Sequence, residues 1–163
     1  MKEKTVGIIG LGSIGSRIAE ICSGMGMEVM YWSRNSRAEK FQYIDLSNLM
    51  KQADLIFLTL AQNNETKVLI TDDLIKCMGK STIFVSIVHN ILNHELVLDL
   101  VKEGKLYGYA FETEKEKMID FRGNVWAGPT LAWCTDESFR KNAEQWTEAI
   151  IQAADNVFRN RVN

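Results

Sequence analysis

Proline is almost missing from this chain: Pro129 is the one such residue in 163. Its loops therefore lack the residue that usually fixes φ. Cysteine is scarce and odd in number, with Cys22, Cys77 and Cys134 far apart. That excludes a disulfide framework and a zinc-type spacing, and it points to reduced, mostly buried thiols in a cytoplasmic protein. Histidine occurs only at His89 and His94. No carboxylate or cysteine falls into ligand spacing with them, so no metal site is expected. Neither sign of charge prevails: 19 Lys and Arg against 21 Asp and Glu leave a net −2. Without a basic surplus, nucleic acid is not an expected partner, and without an acidic run no solvated tail is expected. No apolar run approaches the roughly 18 residues needed to cross a bilayer. The first strand is expected to begin at Thr5, so no signal peptide is expected ahead of it.

What is present is ordinary globular material, 46% apolar and 25% charged. The spacing of apolar residues predicts strands at Thr5–Ile9, Glu28–Trp32, Leu55–Leu60, Thr82–Val88, Leu106–Phe111 and Val125–Ala127. Helices are expected over Ile14–Met25, Leu46–Gln52, Thr71–Cys77, Asn93–Glu103 and Asp136–Val157. Ile14, Ile18, Ile21, Cys22 and Met25 would form the buried face of the first helix. Thr71 or Asp72 should cap the third helix and Asn93 the fourth, which Gly104 ends. Strands alternating with helices imply an α/β protein with a doubly wound parallel sheet in three layers. Linkers, repeats and low-complexity segments are lacking, so residues 1–163 are expected to form a single domain.

The stretch Gly10-Leu11-Gly12-Ser13-Ile14-Gly15 is G-x-G-x-x-G, set between an apolar strand and an amphipathic helix. That context makes it a Rossmann-type dinucleotide-binding turn. Gly10 permits the tight turn, Gly12 lets a pyrophosphate approach the backbone, and Gly15 lets helix and strand pack closely. The N–H groups of Ser13 and Ile14, with the helix dipole, would hold the phosphates. An NAD site expects an acidic residue about 20 residues on, at the end of the second strand. Here Ser33 stands there, followed by Arg34 and Arg37. Serine removes the carboxylate that would repel a 2′-phosphate, and guanidiniums suit one, so NADP(H) is the expected cofactor ahead of NAD.

Three further segments join that signature: "LSNLMKQADLIFLTLAQNNETKVLI", "LNHELVLDLVKEGKLYGYAFE" and "NVWAGPTLAWCTDES". Together they resemble the nucleotide-binding domain of the D-isomer-specific 2-hydroxyacid dehydrogenases over nearly the whole chain. Such enzymes carry a second, substrate-binding domain, so this chain looks like the cofactor half. The resemblance implies cofactor contacts from Leu60 and Ala61 beside the adenine and from Thr66 near the nicotinamide-side phosphate. It implies others from Val88 and from Glu112, where the family has an aspartate against the nicotinamide amide. It also implies hydride transfer served by an arginine, a glutamate and a histidine. Those positions fall here on His89, on Lys117 (with Glu116 adjacent) and on Thr130, while two family glycines become Asn90 and Ile91. Threonine exchanges no proton near neutral pH, and histidine offers a carboxylate no bidentate fork, so negligible activity on ordinary 2-keto acids is expected.

His89 follows the expected strand Thr82–Val88, at the carboxyl edge where such sheets carry their active sites, and the ordinary pKa of a histidine suits proton transfer. It is therefore the candidate catalytic residue. The mixed charges of Glu112–Asp120 read as a solvated loop. Trp126, Trp133 and Trp146 concentrate aromatic bulk near the end of the chain, where the resemblance implies a dimer contact. Two functions follow. One is an atypical NADP(H)-dependent oxidoreductase acting on an unknown small molecule, with its site completed in a homodimer or by a separate partner protein. The alternative is a non-catalytic NADP(H)-binding module serving as sensor, scaffold or partner subunit.

Overall fold

Every residue of β1 (Thr5–Ile9) after Thr5 is buried, although successive side chains point to opposite faces. Only a sheet covered on both faces can satisfy such a strand. The computed structural model describes residues 2–88, 90–113, 123–131 and 134–154. In it β1 is flanked by β2 (Glu28–Trp32) and β4 (Leu55–Leu58), both parallel to it. β3 (Gln42–Tyr43) lies outside β2, and β5 (Ile83–Ser86), β6 (Gly108–Thr113) and β7 (Val125–Pro129) follow β4 outward. The seven-stranded order is β3-β2-β1-β4-β5-β6-β7. This is the doubly wound α/β, Rossmann-type arrangement, with the strand order reversing between β1 and β4.

Two apolar clusters show how the faces are covered. Ile9 and Met30 point to the side where α2 (Leu46–Gln52), α3 (Asp72–Lys76) and α4 (His94–Lys102) contribute Leu49, Ile75 and Val97. Ile8, Val29 and Tyr31 point to the other, where α1 (Ser13–Gly24) contributes Ala19 and Cys22. Burial raises the Cys22 thiol above its ordinary pKa, which keeps it protonated and inert. The chain divides into two compact units, residues 1–128 and 129–163. The second contains α5 (Asp136–Ala154), which buries none of its residues and leaves Trp146 exposed. No helix among the described residues is long and apolar enough to cross a membrane.

Several expected boundaries move, each for a local reason. The strand expected over Thr82–Val88 stops at Ser86, whose hydroxyl bonds the carbonyl of Val88 at 2.9 Å and turns the chain. β6 begins at Gly108 instead of Leu106 because Lys105 and Leu106 still donate to Leu100, closing the end of α4. β3 was not expected, since two residues carry no periodicity. The expected face of α1 is the main correction. Its buried residues are Gly15, Ala19 and Cys22, while Ile14, Ile21 and Met25 are 57%, 50% and 48% exposed. Glycine and alanine carry the contact because helix and sheet approach too closely for larger side chains. The part of the terminal helix expected over 155–157 lies outside the described residues.

The capping expectations hold: Thr71 accepts from Leu74 N–H, and Asn93 from Leu96 N–H. Asp54, at the start of β4, accepts from Lys4 Nζ at 2.7 Å and from the Thr5 amide at 3.0 Å, tying the first turn to the sheet. The Lys4 hydrogen bond, followed by that of Thr5, holds the Asp54 carboxyl below its usual range. A carboxyl that titrates lower when folded stabilises fully above the ordinary carboxylate range, and this contribution fades as pH falls through the folded value. Asp54→Asn should therefore unfold at lower urea than the parent at pH 7, and the gap should close in acid, as measured by denaturation at stepped pH.

Candidate functional site

Gly10 ends β1 at φ 102°, a conformation that strains any residue with a Cβ. Its amide donates to Trp32 O at 2.9 Å, and its carbonyl accepts from the Thr59 hydroxyl at 2.6 Å. The turn is thus pinned from β2 and from the end of β4. Gly12 is the N-cap of α1 and supplies no side-chain cap, and the first turn carries no acidic residue. The amides of Ser13 and Ile14 precede the first helical bond, from Ser16 N to Gly12 O at 2.8 Å. By contrast α2, α3 and α4 are capped by Asp45, Thr71 and Asn93. A Cβ on Gly12 would meet nothing within 4 Å, whereas one on Gly15 would lie 2.0 Å from Gly10 O. The first glycine thus leaves space beside uncapped amides, and the second lets the helix approach. This arrangement fits a pyrophosphate.

In front of the turn lies a cleft of about 580 Å³, at the point where the strand order reverses. It is within the range of small-molecule sites. Ten of the residues expected to meet the cofactor line it: Gly10, Gly12, Ser13, Ile14, Ser33, Arg34, Leu60, Ala61, Thr66 and Val88. Gly15 lies behind the turn. Glu112 belongs to β6, away from this lining. Arg37 does not line the cleft either: it donates to the carbonyls of Ser33 and Ser36 at 3.0 and 2.9 Å and sits over the Tyr43 ring. It braces the loop that presents Ser33 and Arg34. Ser33 is buried, and its hydroxyl accepts from Ser36 N–H at 3.2 Å. Thr66 is also buried, its hydroxyl donating to Ala61 O at 2.8 Å and accepting from the Asn63 amide at 2.9 Å. It shapes the opposite rim.

Sequence reasoning missed Thr59, Asn63 and Glu65, which also line the cleft. Thr59 was legible in principle as the polar break in the apolar run Leu55–Leu60. Glu65 gave no signal, because its meaning lies in a contact across the chain: its carboxylate forms an ion pair with Arg34. Among the described lining residues, these two carry the only formal charges.

Comparison with known proteins decides the lineage. Residues 1–132 match the family model for the D-isomer specific 2-hydroxyacid dehydrogenase, NAD binding domain. The chain belongs to this family. Glyoxylate reductase of Aeropyrum pernix is 29% identical over 94% of this chain and 50% of its own length. That of Pyrococcus furiosus is 31% identical over 70% of this chain and 36% of its own length. The chain thus spans half or less of the length of these relatives. Among solved structures, an acyclic imino acid reductase in complex with NADPH and D-Arg superposes with a TM-score of 0.89 at 25% identity. The match covers 99% of this chain and 54% of that one. The NAD complex of the D-isomer specific 2-hydroxyacid dehydrogenase from Lactobacillus delbrueckii ssp. bulgaricus gives 0.85 at 25% identity, covering 98% and 56%.

Of the positions that correspond to family catalytic groups, His89, Glu116 and Lys117 lie outside the described residues, as does Trp133. Asn90 adopts φ 57° where the resemblance implies a glycine. Asparagine tolerates that left-handed conformation better than other residues with side chains, so the backbone shape survives the change. Ile91 is buried, and its side chain joins the core beside Val97.

The two glycines can be separated by experiment. Gly15→Ala forces its new methyl into the Gly10 carbonyl and should lose about 1–3 kcal/mol or more in urea denaturation. Gly12→Ala should stay within about 1 kcal/mol of the parent while weakening dinucleotide binding at least tenfold in a fluorescence titration.

Proposed function

We propose that the chain is the NADP(H)-binding part of an atypical oxidoreductase whose reaction takes place where a second copy or a separate partner protein completes the site. The observation that carries the cofactor choice is the rim at the end of β2. Ser33 and Arg34 line the cleft there, beside the phosphate-binding turn. The acidic residue that would accept from a ribose 2′-hydroxyl and repel a 2′-phosphate is replaced by a buried serine. The adjacent guanidinium offers a planar fork suited to phosphate oxygens. The NADPH bound by the acyclic imino acid reductase lends further support, because that fold is similar across nearly the whole chain.

When bound, the nicotinamide supplies or accepts the hydride; the described residues of this chain hold the phosphates and the adenosine half. On this reading a second copy or a separate partner protein supplies the remaining substrate contacts. An exposed Trp126, 64% accessible on β7, gives such a partner apolar surface to cover. The proton donor is assigned from sequence alone: His89 is the residue after Val88 in the chain.

Titration with NADPH and NADH tests the reading. NADPH should bind at least tenfold more tightly than NADH. Arg34→Ala should weaken NADPH roughly ten- to a hundredfold, the loss of charge-assisted hydrogen bonds to one phosphate, and leave NADH within about threefold. Equal affinity for the two nucleotides in the parent protein would refute the NADP(H) assignment.

A further inference from the structure

Arg34 and Glu65 approach the cleft from opposite rims. Arg34 follows β2 and Glu65 lies in the loop beyond β4, and these two strands flank β1 on its two sides. Their ion pair therefore spans the end of β1, where Gly10 begins the phosphate turn. Both side chains remain open to solvent, 46% and 68% exposed, so either can change partners without unfolding anything. The Glu65 loop does not depend on the carboxylate for its shape. The Glu65 amide donates to Asn63 Oδ1 at 3.0 Å, and Thr66 N–H donates to the same oxygen at 2.9 Å. The carboxylate is thus free of structural duty and faces the only cation among the described cleft-lining residues.

We infer that Glu65 is a competing counter-ion that tempers the cofactor preference: it holds Arg34 across the mouth of the cleft until the 2′-phosphate of an incoming nucleotide takes its place. The inference rests on the NADP(H) reading above and adds the residue against which that phosphate must compete. A phosphate brings greater negative charge and more acceptor oxygens than a carboxylate, so it wins the guanidinium. A nucleotide with a free 2′-hydroxyl has nothing to exchange for Glu65, and the pair stays closed beside it. Glu65 also places a negative charge near the arriving phosphate. Its carboxylate therefore lowers affinity for 2′-phosphorylated nucleotides and narrows their lead over nucleotides with a free 2′-hydroxyl.

The probes are 2′,5′-ADP and 5′-AMP, measured by calorimetric titration of the full chain, its Glu65→Gln, Arg34→Ala and doubly substituted variants. Glutamine keeps the size and the backbone bonds at this exposed position, and thermal melting checks that each variant is folded. Glu65→Gln should bind 2′,5′-ADP about two- to fivefold more tightly, the range expected for releasing an exposed ion pair, and leave 5′-AMP unchanged. The gain should shrink in the Arg34→Ala background, where no guanidinium is left to release. If the parent prefers 2′,5′-ADP and loses that preference on Arg34→Ala, yet Glu65→Gln binds no more tightly than the parent, the counter-ion role is overturned and the cofactor reading stands. If the parent binds 2′,5′-ADP no better than 5′-AMP and Arg34→Ala changes neither, both fall.

Discussion

Gly15 stands against the carbonyl of Gly10 with no room for a side chain between them. This contact sets the distance from α1 to β1 and makes the rest of the nucleotide site possible. It brings the uncapped amides of Ser13 and Ile14 to the end of β1. It also explains the composition of the contact face, where Ala19 and Cys22 follow Gly15 inward, Ile18 packs at its margin, and Ile14 and Ile21 stay outside. The Thr59 hydroxyl comes from β4 to the same carbonyl, so the turn is fixed by the strand on the far side of the reversal point. Helix approach, turn conformation and cleft position are one constraint expressed in three places.

Around that turn the two rims differ in kind. The β2 side offers Ser33 and Arg34, presented by a loop that Arg37 pins through backbone carbonyls. The β4 side offers Ala61 and Glu65, held by the hydrogen bonds of Asn63 and Thr66. Two arginines close in sequence thus do different work, one toward the cleft and one toward its own loop. On the proposed reading, cofactor choice arises from how the two rims share one guanidinium.

The glycine turn, the alternation of strands and helices, and the caps at Thr71 and Asn93 were legible in the sequence because each depends on neighbours along the chain. Ser33 and Arg34 were legible for the same reason, being fixed by distance from the turn. The α1 face was misread because periodicity marks where apolar residues recur and says nothing of how near the sheet lies. Isoleucine suits a wide interface, and this one is narrow. Arg37 was grouped with Arg34 because spacing cannot reveal which guanidinium finds carbonyls first. Glu65 was invisible for a deeper reason: its partner is distant in sequence, and only the order β2-β1-β4 brings the two rims together. Membership of the dehydrogenase family was readable from aligned segments, whereas the groups that would serve a reaction here were readable mainly as departures from it.

The account stands or falls on whether the amides after Gly12 hold the phosphates. Amide hydrogen exchange at Ser13 and Ile14, followed by NMR with and without saturating NADPH, tests this most directly. Strong slowing at both positions, with the remote α2 amides unchanged, is the predicted result. Unchanged exchange at Ser13 and Ile14 in a sample shown to bind the nucleotide would contradict it and move the ligand to another part of the molecule.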